Sequence, residues 1–437
     1  MVAMLAAAVR SAPPAPWPGV DSEPSPAASP GQIPLDLESA LQWTLSRNPD
    51  LVAMRQNLCV SAAAVAVAER FPMSLNPSVS VDVRPWTFEH DTGQGNRQLA
   101  TVVSLSWMQP IEFGHRTGRR IAIARAEYSQ TQWDILQAEL LALIETYRLH
   151  QTATFRRDKL RVARDLAEFN AKLVETVRRQ TEAGQLAASE LVLAEVENQS
   201  MQQVLQTSEQ EYADALAAMR RQIGIPDYAT TAVPDGSLKV PEGLADEDQE
   251  NLTRLALESH PGINAAKARV AASHAAVGLA EAERIPIVSV GPVYENDESG
   301  TSFYGLAFST PVPVLNTGRS LVYQRQMEHS RDLVALEQLR VRTVARLDAS
   351  VAKWHETKAL IAPIEANTAA IQAQAEKMDR LYMAGQADLL KLLSVRQRLI
   401  EAENARLDMV WQTILAYAEL LEASGGTPLL GSISTGP

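Results

Sequence analysis

Between Ser78 and Trp107 the chain alternates in polarity. Val79, Val81 and Val83 interleave with Ser78, Ser80, Asp82 and Arg84; after a polar stretch, Val103, Leu105 and Trp107 interleave with Ser104 and Ser106. A period of two, with one apolar and one polar face, predicts a pair of β-strands within about residues 77–108. The signature returns later, where Val288, Val290 and Tyr294 face one way and are followed by Tyr304, Leu306 and Phe308. This second pair is expected within about residues 286–312. The polar segments His90 to Gln98 and Glu295 to Ser302 contain glycine and read as the hairpin loops.

Elsewhere the period is helical. From His115 to Thr181 there is no proline, and the one glycine, Gly118, stands at the start. At 1.5 Å per residue such a helix is about 100 Å long, against an average near a dozen residues. A second long helix is expected from Gly318 to Met383, with a local kink at Pro363. Leu160, Ala163, Ala167, Asn170, Val174, Val177 and Thr181 recur at alternating spacings of three and four, as do Ile361, Ile364, Thr368, Ile371, Ala375, Met378 and Tyr382. That is a coiled-coil seam. Its small and polar members suit helices packed around a wet lumen better than a dry zipper.

The two halves repeat one plan. Asn48-Pro49 and Leu51 recur as His260-Pro261 and Ile263; Glu69-Arg70-Phe71-Pro72 recurs as Glu283-Arg284-Ile285-Pro286; Ala183-Gly184-Gln185 recurs as Ala384-Gly385-Gln386. Each copy reads as helix, strand pair, long helix, glycine turn and return helix. The organisation is a signal remnant and Pro-rich linker over 1–34, a first repeat over 35–225, a linker over 226–250, a second repeat over 251–424, and a tail over 425–437. The first helices are expected to bend at Asn48-Pro49, because the residue before proline is pushed out of helical geometry.

Four amphipathic strands of about ten residues have the length that crosses a membrane when tilted. Four alone leave open edges, which hydrocarbon does not tolerate; three copies supply twelve, enough to close a barrel. The fold class is therefore mainly α with a membrane β-barrel part, a trimer with a 12-stranded barrel and a helical tunnel about 100 Å long. Trp86, Phe88, Trp107, Tyr294, Phe303 and Tyr304 lie near strand ends, where aromatics anchor a barrel at the membrane interface. No run approaches eighteen consecutive apolar residues, so no membrane-spanning helix is expected. The competing reading, a soluble or periplasmic coiled-coil scaffold, leaves the long helices without partners.

Composition narrows the chemistry. Aromatics make up only 5% of residues, as in long packed helices, and the net charge of −12 argues against nucleic acid. The single cysteine, Cys59, reads as a buried helical thiol and can form no internal disulfide. None of the seven histidines is spaced from another as metal ligands are, and His150, His329 and His355 read as exposed helix positions. With no Gly-rich phosphate loop and no nucleophile elbow, an enzyme is not expected, nor a bound metal or cofactor.

Two segments carry a family resemblance. Leu35-Asp36-Leu37-Glu38-Ser39-Ala40-Leu41, continuing to Asn48-Pro49-Asp50-Leu51, resembles the opening motif of TolC-like outer-membrane efflux channels. Leu381-Tyr382-Met383-Ala384-Gly385-Gln386-Ala387-Asp388-Leu389-Leu390 is similar to that family's glycine turn. The resemblance runs from Leu35 to Ser424. It implies a homotrimeric exit duct, a barrel in outer-membrane lipid continuous with a periplasmic helical tunnel, joined through a periplasmic adaptor to an inner-membrane efflux transporter driven by protons. Gln109-Pro110-Ile111-Glu112-Phe113-Gly114-His115-Arg116 resembles the corresponding segment of the CzcC-like heavy-metal subgroup, with His115 where a small residue is commoner. That favours heavy-metal cations over drugs as cargo. At this corner proline ends the strand, glycine bends the chain, and Arg116 is expected near phosphate headgroups. The tips at Gly184, Gln185, Gly385 and Gln386 are the expected adaptor contacts. Where the family often places acidic side chains after the second turn, this chain has Lys391 and Ser394; Lys391 and Glu190 are the candidate entrance charges.

Overall fold

The computed structural model describes residues 32–84, 101–225, 231–241, 249–297, 301–384, 386 and 389–426. In chain order the elements are β1 (Gln32–Leu35), α1 (Leu37–Arg47), α2 (Pro49–Glu69), β2 (Ser78–Arg84), β3 (Val102–Ile111), α3 (Arg116–Glu182), α4 (Ala188–Ile223), β4 (Thr231–Pro234), α5 (Gln249–Ser259), α6 (Pro261–Glu283), β5 (Val288–Asn296), β6 (Ser302–Ser309), α7 (Arg319–Ala359), α8 (Ile361–Met383) and α9 (Leu389–Ala423). They divide into two compact units. One holds residues up to Met54, Ile135–Gly262 and those from Arg340; the other holds Arg55–Asp134 and Ile263–Leu339.

The first unit is helical and packs on its seams. Leu160, Ala163, Ala167, Asn170, Val174 and Val177 are all buried, as are Thr368 and Ala375 of the second seam. A larger core gathers Leu143, Ile144 and Tyr147 of α3, Trp354 of α7 and Ile414, Tyr417 and Leu421 of α9. The Trp354 and Tyr417 rings lie 5.3 Å apart. Asn48 explains the break between α1 and α2: its Oδ1 accepts from the Asp50 and Leu51 amides at 3.0 and 3.1 Å, capping a helix whose first residue is Pro49. The break between α7 and α8 falls at Leu360, three residues before Pro363, because the missing proline N–H and the ring act on the preceding turn.

Two segments read as linkers carry structure. Residues 32–35 and 231–234 pair as parallel strands β1 and β4. Side chains of α3 hold them down: Arg157 donates to the carbonyls of Pro234 and Gly236 at 2.8 and 2.6 Å. His150 is not exposed but buried, its Nε2 3.1 Å from the Leu35 carbonyl and its Nδ1 without a partner. That carbonyl can only accept, so Nε2 carries the proton. Desolvation holds the imidazole below its usual protonation range.

The second unit is built round a four-stranded antiparallel sheet, β2-β3-β5-β6. The β3–α3 corner differs from its reading. Arg116 is buried and does not face headgroups; its guanidinium donates to the carbonyls of Ala282 and Glu283, both at 3.3 Å, and of Ile285. It thus ties the start of one long helix to the end of α6. Glu112 and Arg120 lock the same corner through two parallel hydrogen bonds of 2.9 and 2.7 Å. His115, at φ 59°, sits in left-handed backbone beside Gly114 at φ 82°. That conformation explains why a residue without a bulky side chain suits the position.

α2 departs twice from expectation. Cys59 is exposed rather than buried. The stretch Pro49–Leu75 is also, by length and composition, apolar enough to cross a membrane, though no long uninterrupted apolar run announces it. Its apolar content comes from alanine and valine broken by single polar residues, so an average detects what a run does not.

Arg116→Ala should take this donor from the Glu283 and Ile285 carbonyls, while Ala282 keeps the Ile285 amide at 3.2 Å, and lower unfolding stability by about 2 kcal/mol; Arg116→Lys, lacking the planar fork, should not restore it. Thermal melts of the detergent-solubilised protein, followed by circular dichroism, check both. His150 is neutral in the fold while the unfolded chain protonates near pH 6.5, so its contribution is complete above that pH and falls as pH drops below it. The protection factor of the Asp235 amide, which donates to the Leu35 carbonyl at 2.9 Å, should therefore fall as the pH drops below about 6.5, once exchange is corrected for its intrinsic pH dependence. His150→Gln should flatten that dependence.

Candidate functional site

The sheet faces and the glycine turns marked in the sequence each lie within one unit. In the sheet, β2 pairs with β3 so that Val79, Val81 and Val83 lie opposite Trp107, Leu105 and Val103. β3 pairs with β5 so that Leu105 lies opposite Tyr294, and β5 with β6 so that Tyr294, Pro292 and Val290 lie opposite Tyr304, Leu306 and Phe308. Cross-strand partners share a face, so these residues form one apolar surface across all four strands. The opposite face carries Ser78, Ser80, Ser104, Ser106, Ser289, Gly305 and Ala307.

Both faces lie open in the single chain, and Leu306 and Phe308 are each 72% exposed. Gly291 is required where β5 meets β3, because a Cβ there would collide with the Trp107 carbonyl. Trp107, Tyr294 and Tyr304 share the apolar face. Phe303 does not: it lies opposite Glu295 on the serine face, since adjacent strand residues point to opposite sides. Trp86, Phe88 and the loop from His90 to Gln98 lie outside the described residues.

At the glycine turns the local chemistry repeats. The Gly184 amide donates to the Thr181 carbonyl at 3.0 Å and the Gln185 amide to that of Gln180 at 2.8 Å, with Gly184 at φ 71°. This is the left-handed Schellman stop of a helix. At the second turn the Gln386 amide returns to the Leu381 carbonyl at 2.9 Å, the same offset, although Gly385 is outside the described residues. Gln185 and Gln386 are both exposed. No side chain caps the start of α4, where the Glu190 amide donates to the Ala187 carbonyl at 3.0 Å. Glu190 is half-buried in that first turn, and Lys391 is exposed at the start of α9.

Behind the tips, Leu173, Val174 and Val177 of α3, Ala194 of α4 and Leu392 of α9 form one small core. Arg396 of α9 pairs with Asp379 of α8 and lies 4.3 Å from the Phe169 ring centre of α3. The seam spacing pointed to these contacts in outline. Which charges cross between helices was not visible in it.

The likenesses to known proteins agree with this architecture. The chain is 25% identical to the pyoverdine export outer membrane protein OpmQ of Pseudomonas putida, over 95% of this chain and 92% of that protein. Its fold matches the CmeC outer membrane channel of Campylobacter jejuni at a TM-score of 0.73 and 14% identity, covering 95% of this chain and 93% of CmeC. It matches the open MtrE outer membrane channel of Neisseria gonorrhoeae at 0.69 and 16% identity, covering 89% of each chain. Residues 40–225 and 252–426 match the outer membrane efflux protein family. A sheet with one apolar and one serine face, long helices packed along buried seams and a family match across most of the sequence lead to one conclusion: this chain belongs to the outer membrane efflux protein family.

Proposed function

We propose that three copies of this chain form the exit duct of a tripartite efflux pump, receiving cargo from an inner-membrane transporter through a periplasmic adaptor. The observation that carries this reading is the four-stranded sheet with β2 and β6 as open edges. Unpaired edge groups are too costly in hydrocarbon to stand alone, and β2 of one copy beside β6 of the next closes twelve strands without an edge. The apolar face then meets lipid and the serine face lines the lumen. The exposed apolar surface of α2, with Val60 and Val67 about 70% accessible, supports a neighbouring copy covering it.

In this reading each repeat, 35–225 and 251–424, contributes one tip, and six tips ring the periplasmic end. Gln185 and Gln386, with the turns at Gly184 and Gly385, offer amides and carbonyls for an adaptor to grip. Glu190 and Lys391 stand where charge at the entrance would act on passing cargo. The transporter is proton-driven. The corner segment Gln109–Arg116 favours heavy-metal cations as cargo; the relatives named for pyoverdine export favour an organic molecule as the second reading.

Val81→Lys or Val290→Lys should put a charge on the lipid face, costing roughly 2–4 kcal/mol at mid-membrane, and abolish the detergent-resistant trimer. Ser80→Lys, on the lumen side, should assemble. Equal behaviour of all three on unheated gels of membrane extracts would refute the closed barrel. For the tips, Gln185→Glu with Gln386→Glu should leave trimer and membrane insertion intact while export and adaptor crosslinking fall together. Normal crosslinking in that variant would remove the docking role.

A further inference from the structure

In the second unit, His274 of α6 and His329 of α7 come together although nothing in their sequence positions pairs them. Their ring centres are 5.4 Å apart, with the planes tilted by 52°. We propose that they form a binding site for a divalent transition-metal cation, Cu²⁺ above all. The proposal is independent of which cargo the channel carries.

The separation suits a shared metal. A cation about 2.0–2.1 Å from an imidazole nitrogen lies roughly 3.2 Å from that ring's centre; coordination angles of about 90–115° then put two ring centres roughly 4.5–5.4 Å apart. The protonation pattern suits it too. Ser273 donates its hydroxyl proton to the Val270 carbonyl at 3.1 Å, so its oxygen, 3.0 Å from His329 Nδ1, accepts from an Nδ1–H. Neutral His329 in that tautomer carries its lone pair on Nε2. A ring held through one nitrogen with the other bare is how metal-ligating histidines are oriented. His274 is exposed and makes no hydrogen bond among the described residues, so either of its nitrogens is available.

The surroundings decide which cation fits. Asp332, one turn beyond His329, is buried and already bound by Arg331 at 2.8 Å and Arg269 at 3.5 Å. Glu328 is held by Arg325 at 2.7 Å and Gln324 at 3.0 Å. No trio of His, Cys, Asp or Glu gathers among the described residues, so water completes the coordination. Without a free carboxylate, and with two arginines against one aspartate, the site disfavours oxygen-seeking Ca²⁺ and Mg²⁺. An imidazole pair favours Cu²⁺, Ni²⁺ and Zn²⁺, with Cu²⁺ bound most tightly.

The test is titration of the detergent-purified full chain with Cu²⁺, read by electron paramagnetic resonance and nitrogen hyperfine spectroscopy. One Cu²⁺ per chain with two imidazole nitrogens is expected. His274→Ala, an exposed change that leaves the fold intact, and His329→Ala should each leave no more than one nitrogen and weaken binding by more than about tenfold. Ser273→Ala should keep both nitrogens but weaken binding about tenfold or more. His355→Ala, at an exposed helix position, should change nothing. Fewer than two nitrogens in the unmodified protein, or a two-nitrogen signal surviving in the His274→Ala, His329→Ala double variant, would overturn the site.

Discussion

A β-strand presents backbone amides and carbonyls along both sides, and in a bilayer those groups have only other strands to bond to. Here β3 and β5 are paired on both sides, while β2 and β6 are paired on one. The alternation that makes one face apolar also opens the other to water. Register is therefore not a detail: a slip of one residue would put serines into lipid and valines into the lumen. Gly291 lets β5 approach β3 closely at the middle of the sheet, and Pro292 beside it gives up a donor.

The corner after β3 shows how a sheet hands its chain to a helix of about 100 Å. Glu112 and Arg120 fix the approach, Gly114 and His115 turn it, and Arg116 anchors it to the end of α6. A guanidinium is suited to this because it can serve several carbonyls at once and stays charged at any pH the protein meets. The equivalent landmark in the second half, Gly318, is also left-handed, at φ 72°. The duplicated sequence thus uses the same backbone device at both corners.

Small and polar seam residues serve the helices in a different way. Thr368, Ala375, Ala163, Ala167 and Asn170 are buried where a dry zipper would carry leucine. The Thr368 hydroxyl bonds back to the Ile364 carbonyl at 2.9 Å, satisfying itself within its own helix. Small residues permit close helix approach, which suits a wall more than a thick core. The heavy packing is concentrated instead where Tyr147, Trp354 and Tyr417 meet beside Leu143 and Ile414.

The linear order of residues determined the sheet strands and most helices, with their kind. Period two fixed the four strands and their faces, the seven-residue seam and the absence of proline fixed α3, and the glycine turns fixed the helix ends, because each of these is a local property with a fixed spacing. Tertiary structure decided what lies far apart in sequence. It buried His150 under Leu35, turned Arg116 inward to the carbonyls of α6, left Cys59 exposed, and made β1 and β4 partners although both lie in segments that read as linkers. It also set His274 against His329. Such pairings depend on which helix faces meet, and no periodicity within a single segment records its partner.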